Sequence, residues 1–344
     1  GEQALVAESL DNVGFGSYQL GRFDDAQVYW QQALSAYEQL DDHVRMLTVE
    51  QNMGLLDLAR GHFAAARKRL ESTLPRAEDG QLSEQVSVSL VNLAELALVE
   101  GRYAEAITHA ERAAQISARR SDRRTEAGAN LQLARIGLAL GAVKRADTAL
   151  GSIHAEQLGN EQQAALQLAR AQRMRLDSDQ KNALTLLDEA AKSAATAHSG
   201  TLDMQIRLER VQLLLASGDR VGARKLLKTF AEETSRLNEV PLRLQWLELE
   251  IAAALGEGDR MRAVAYYRQA LKLLDDVGNY AHAATIHELG LRALPQGAES
   301  EAALGAANAA RDRQLADAPP EARASLAVQL DRRLREEAPA THAH

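Results

Sequence analysis

Gly21-Arg22-Phe23-Asp24-Asp25-Ala26 is followed by Gly61-His62-Phe63-Ala64-Ala65-Ala66 and then by Gly101-Arg102-Tyr103-Ala104-Glu105-Ala106. The three stretches lie 40 residues apart, and the glycine returns again at Gly141. Ser178 takes its place after a step of 37, and Gly218, Gly258 and Gly297 follow at steps of 40, 40 and 39. Five residues after each mark stands an alanine: Ala26, Ala66, Ala106, Ala146, Ala183, Ala223, Ala263 and Ala302. A fixed period of about 20–50 residues identifies a solenoid of stacked units. Such an array lengthens without needing a new core. One continuous array therefore replaces the two or three domains that 344 residues would suggest.

Each mark separates two helical patterns. Val86, Leu90, Leu93 and Ala97 recur at spacings of three and four, Gly101 interrupts them, and Tyr103 to Ile116 resumes the pattern. Glycine suits the interruption because it takes positive φ after a helix end. The alanine is expected to face the preceding helix of its own unit, where a small side chain lets two backbones approach. Ala33, Ala113, Ala190, Ala270 and Ala309 supply a second small position, which Thr73, Ile153 and Phe230 break. Asp41, Asp42, Asp122, Thr201, Asn238 and Asn279 precede apolar stripes as N-caps do. Pro241 fits a first helical turn.

Composition agrees with an all-α class. Ala, Leu, Glu, Gln and Arg are strong helix formers and dominate the chain, aromatics are 4% and prolines number six. A net charge of −8 argues against a nonspecific nucleic-acid surface, which needs a basic stripe. No cysteine is present, so there is no disulfide and no thiolate metal site. No apolar run is long enough to span a membrane. The compartment is not fixed by any of this, with the cytoplasm favoured. The chain starts at Gly1 without methionine, and the expectation is a fragment whose upstream domain is missing.

Units one to four occupy residues 2–158 and form the expected binding half; units five to eight occupy 159–316. The step of 37 and the loop at Leu158-Gly159-Asn160 mark the join. A C-terminal capping helix is expected over 317–337, with Leu326, Leu330 and Leu334 on one face, and a disordered tail over 338–344.

The first units resemble the tetratricopeptide repeat. Gly14, Gly21-x-Phe23-x-x-Ala26, Trp30 and Ala33-Leu34 carry the resemblance, then Gly54 with Gly61-x-Phe63-x-x-Ala66, then Ala94 with Gly101-x-Tyr103-x-x-Ala106. Later units keep the small residues and lose the aromatic, with Val143, Gln180, Arg220, Arg260 and Glu299 in its place. The family period is nearer 34 residues, so these are long-helix units, similar to kinesin-light-chain-type repeats and bacterial sensor regulators. The resemblance implies an α-solenoid: a right-handed superhelix of eight helix pairs whose first helices line a concave groove. It also implies a protein or peptide segment as partner, in an interaction or sensor domain of a larger regulatory protein.

A polar ladder stands nine residues before the first four marks: Asn12, Asn52, Asn92 and Gln132. The resemblance puts that position in the groove, and a primary amide can both donate to and accept from one peptide unit. The other reading is that these amides bridge helices inside the fold. Phe15, Leu55, Glu95 and Arg135 are neighbours on the same face, three residues on. Phe15, Tyr18, Phe23, Tyr29, Trp30 and Tyr37 crowd unit one, as core or as an interface with an upstream segment or a second copy. Arg119, Arg120, Arg123 and Arg124 read as a solvated turn.

Catalytic motifs fail. Gly14-x-Gly16 lacks the third glycine of a dinucleotide loop, and Gly137, Gly141 and Lys144 miss the phosphate-loop spacing. His282 and His287, five apart, fall on different helix faces rather than forming a metal pair. The expectation is a binding module without enzyme activity, cofactor or metal. Two other functions stay open: a small-molecule or pheromone sensor that compacts on its ligand, and a passive scaffold using its convex face.

Overall fold

The computed structural model describes residues 1–234 and 239–337. Among these residues there are seventeen α-helices and no strand. Units one to four pair α1 (Glu2–Gln19) with α2 (Phe23–Gln39), α3 (His43–Ala59) with α4 (Phe63–Asp79), α5 (Ser83–Val99) with α6 (Tyr103–Arg119), and α7 (Arg123–Ala139) with the short α8 (Val143–Gly151). Units five to eight pair α9 (Asn160–Leu176) with α10 (Gln180–Ala197), α11 (Gly200–Ala216) with α12 (Arg220–Thr234), α13 (Val240–Gly256) with α14 (Arg260–Val277), and α15 (Ala283–Ala293) with α16 (Ala298–Asp317). A single 3₁₀ turn, Pro320–Ala322, leads into α17 (Arg323–Glu337). The chain is an all-α solenoid.

The marks turn as expected. Gly21, Gly61, Gly101 and Gly141 have φ of 71°, 79°, 77° and 64°. At the first, the Gly21 N–H donates to the Tyr18 carbonyl at 2.9 Å and the Arg22 N–H to the Ser17 carbonyl at 2.8 Å. That paired closure satisfies two carbonyls a helix end would otherwise leave bare. A second corner, between units, repeats the geometry without glycine: Asp41, Gln81, Ser121 and His198 have φ of 54–57°. The sequence pattern marked none of them as a turn, and Asp41 was expected as an N-cap.

First helices inside the array are packed on both sides, and α1 and the second helices on one. On α2 the buried residues are Phe23, Ala26, Trp30, Ala33 and Tyr37, a single stripe at spacings of three and four. On α13 eleven residues are buried, all round the helix. Within a unit, small residues face large ones. A side chain begun at Gly14 would lie 2.6 Å from Trp30 Cδ1, and one at Gly54 2.7 Å from Leu70 Cδ2. The alanine after the mark takes its expected place in unit four, where a Cβ at Gly137 would lie 2.8 Å from the Ala146 nitrogen.

Unit eight departs from the expected register. Ala302 and Ala309 are exposed, and Ala303, Ala307 and Ala310 are buried instead. The cause is local: α15 ends at Ala293, and Gly297 is the N-cap of α16 rather than the turn after α15. Among the caps, the Asp42 and Asp122 carboxylates accept from the Arg45 and Thr125 N–H groups. Asp41 is the positive-φ corner instead. Thr201 lies inside α11 and donates to Glu239, and Asn279 stands before the His282 N-cap of α15. Asp179, Asp219 and Asp259, one residue after their marks, cap α10, α12 and α14. Asn238, the tail 338–344 and the Leu334 side chain lie outside the described residues.

The array coils until its two halves meet. A side chain begun at Gly61 would meet Val240 and Val277 of unit seven, one at Gly101 would meet Ala281 and Gln314 of unit eight, and one at Gly141 would meet Ser325 and Gln329 of α17. Three successive corners thus rest on three successive elements of the far end. The Ala281 N–H donates to the Val99 carbonyl at 2.8 Å across this seam. Leu58, Phe63, Leu70 and Leu96 share one apolar cluster with Leu208, Leu227, Leu242 and Tyr267.

Candidate binding chamber

The coil surrounds a half-open chamber of about 380 Å³. Its wall comes from the repeated register of the first helices. Six residues before the mark stand Glu95, Arg135, Gln172 and Gln212; nine before stand Ala169, Glu209 and Leu249; thirteen before stand Ala165, Gln205 and Gln245. Offsets separated by four and three residues share one helix face. Tyr18 and Gln19 enter from α1, Tyr280 and His282 from the segment before α15, and Gln329 from α17.

The charged groups are mostly paired. Arg135 donates to Glu95 at 3.2 Å and to Gln132 at 3.3 Å. Arg175 donates to the buried Glu209 carboxylate at 2.6 Å. His282 Nδ1 meets the Glu248 carboxylate at 2.7 Å, and its ring stacks on Tyr280. Glu239, buried beside the chamber, accepts from Thr201 Oγ1 at 2.9 Å. Burial, with the Glu95 charge added, pushes its carboxyl up to about 7 against the hydrogen bond from Thr201. The Tyr18 hydroxyl is pushed well up, first by burial and then by Glu239, Glu95 and Glu161. The lining is thus glutamine-rich and acidic, with two arginines already engaged. The two arginines are held by their partners, and the glutamine amides offer both donors and acceptors to the same space.

Of the eight residues singled out from sequence, the chamber brings together Glu95 and Arg135. Gln132 is buried beneath and holds Arg135. Asn92 is buried and Leu55 half-buried, and neither lines the chamber. Asn52 is half-buried and hydrogen-bonds the Asp11 carboxyl, which also accepts from Trp30 Nε1 at 3.1 Å. Asn12 is exposed, and Phe15 is 41% exposed at the free end of the array. Gln172, Gln212, Gln245, Glu209 and Tyr18 were missed. Extending the position of Glu95 and Arg135 by one unit at a time would have found the first two.

In unit one, Phe23, Trp30 and Tyr37 are core, with Tyr18 stacked on Phe23 at 5.6 Å. Arg119, Arg120, Arg123 and Arg124 are all exposed. No helix among the described residues is long and apolar enough to cross a membrane.

Residues 5–79, the first two units, match the tetratricopeptide repeat family. Two solved structures are similar. A tetratricopeptide repeat protein from Parabacteroides merdae is 14% identical with a TM-score of 0.48, over 86% of this chain and 100% of that one. NprR in complex with its cognate peptide NprX is 13% identical with a TM-score of 0.47, over 96% of this chain and 84% of that one. No curated protein matches. The first two helix pairs are tetratricopeptide repeats, and the pairs that follow repeat their helix–turn–helix form.

Proposed function

We propose that these repeats form the interaction or sensor domain of a larger regulatory protein, and that the array takes a peptide or partner segment in its chamber. The observation that carries this reading is the polar line six residues before successive marks, Glu95, Arg135, Gln172 and Gln212. Four consecutive units present donors and acceptors to one half-open space. Amide and guanidinium groups at a regular rise suit an extended backbone, which repeats its own donors and acceptors.

The test uses random peptides displayed on phage and selected on the full chain. Selected peptides are expected to lose at least ten-fold in affinity for a Gln172→Ala/Gln212→Ala variant. Both side chains are half-buried, so circular dichroism should show an unchanged fold. Undiminished affinity on that variant removes the chamber as the site.

The size of the chamber favours a second reading, a small-molecule sensor. About 380 Å³ falls in the usual range of small-ligand sites, roughly 300–1,000 Å³. The two readings separate in solution scattering: a threaded peptide must part the seam and raise the radius of gyration, whereas a small ligand leaves it unchanged or lowers it.

A further inference from the structure

α17 is the element the repeat does not explain. Its sequence, Leu326-Ala327-Val328-Gln329-Leu330-Asp331-Arg332, places two leucines four residues apart. Both are buried, in a cluster with Leu98 of α5, Tyr103 of α6, Ile136 of α7 and Leu140 just after it. On its other side α17 touches α16 and also α15, α13 and α11, the first helices of units eight, seven and six. A helix that only closed the end of the array would stop at α15 and α16, and α17 reaches beyond them to α13 and α11. This one crosses the concave face. Gln329 lines the chamber, and the Arg332 guanidinium donates to the Arg175 carbonyl at 3.3 Å, where α9 ends.

α17 buries a single stripe, as a second helix of a repeat does, but it has no pair partner of its own. Three of the positions 323–332 are buried, against five of seventeen on α2, and Val328 is 62% exposed. Pro319-Pro320 and one 3₁₀ turn tether it, so α17 can leave without breaking any helix pair.

We propose that α17 is a displaceable occupant of the concave groove, and that the groove is a receptor for a partner protein's helix of the same chemistry. That helix carries leucines at i and i+4, glutamine at i+3 and arginine at i+6. The proposal rests on the reading above that the concave face takes a partner segment, and adds a helical segment at the α17 side of the chamber. A tethered helix competes at a high effective concentration, so an incoming helix binds with an affinity reduced by the fraction of chains whose groove stands open. Departure of α17 also frees the Gly141 corner, so the partner's arrival loosens the seam between the halves.

The chain has no cysteine, so Leu330→Cys introduces a single thiol at a buried position. The probe is a synthetic peptide of residues 320–337. The thiol is expected to react slowly with a maleimide, and at least ten-fold faster at saturating peptide. The fluorescent peptide is expected to bind a full chain carrying Leu326→Asp/Leu330→Asp at least ten-fold more tightly than the unaltered chain. A reaction rate that bound peptide leaves unchanged overturns the proposal, as do equal affinities for the two chains. Should the double variant lose helicity, the thiol reporter alone decides. A doubled mass in light scattering, with the thiol unresponsive to peptide, also overturns it, in favour of α17 exchange between two copies. If only this proposal fails, the phage-selected peptides still depend on Gln172 and Gln212; if that dependence is absent too, the chamber reading has failed with it.

Discussion

Gly61 and Gly218 occupy the same place in their units and the same backbone, with φ of 79° and 80°. Their surroundings differ. A side chain at Gly61 would begin 2.9 Å from Val240 Cγ1 and Val277 Cγ1, whereas nothing lies within 4 Å of one at Gly218. Gly101 and Gly141 are like Gly61, and Gly258 is like Gly218. One repeat residue therefore serves two purposes. It makes the turn in both halves, and in the first half it also lets the corner press against the far end of the array. The periodic pattern records the first purpose and conceals the second.

Gly61→Ala should break this comparison most sharply. A left-handed conformation costs an L-residue roughly 1–2 kcal/mol, and forcing a methyl against two stiff β-branched side chains adds about 1–3 kcal/mol. A loss of about 3 kcal/mol in urea-induced unfolding is expected. A loss no larger than that of Gly218→Ala would mean that the halves do not touch in solution.

The seam also carries a charge. Glu239 belongs to the second half, and its carboxyl is raised to about 7 by burial and by Glu95 of the first half. The folded chain holds this proton more tightly than the unfolded one does. The contribution is therefore complete below the unfolded value, near 4.5, and is lost as pH rises through about 7. Glu239→Gln removes the titration and leaves Thr201 an acceptor. The variant should match the wild type at pH 4.5 and exceed it by about 3 kcal/mol at pH 8. Urea melts at the two pH values check this; a difference that does not grow with pH would place Glu239 in water and the seam open.

The helix pairs were legible because turns and close approaches leave local marks. Gly21, Gly61 and Gly101 announce positive φ, and Ala26, Ala66 and Ala106 announce contact between neighbouring helices. The reading slipped where local chemistry shifted by one residue, at Ala302 and Ala303, because a period says nothing about how the short α15 ends. It also slipped on Thr201, which resembles a cap but sits inside α11 and serves the buried Glu239. Of the site, Glu95 and Arg135 were within reach because they repeat. The chamber as a whole was not. It depends on small rotations per unit that accumulate until Gly61 reaches Val240, and no single unit encodes the sum.

Gly218→Ala isolates the turn from the seam. With open space around it, the only cost is the left-handed conformation, about 1 kcal/mol. Thermal or urea unfolding measures it directly. A loss approaching that of Gly61→Ala would show that backbone strain, rather than contact between halves, explains both.

The smallest effect should carry the opposite sign. Gln81 has φ of 55° and is exposed at a corner between units, so it bears the left-handed strain with no contact to justify its side chain. Gln81→Gly relieves roughly 1–2 kcal/mol of strain and gives back about 0.5–1 kcal/mol through the freer unfolded chain. A net gain of about 0.5 kcal/mol is expected in urea melts. The two corners of a unit would then differ in kind. The corner within the unit has glycine where backbone and neighbours both demand it, and the corner between units tolerates a strained residue because nothing presses on it. A loss of stability on Gln81→Gly would show that the glutamine side chain is held at that corner by something the backbone geometry does not record.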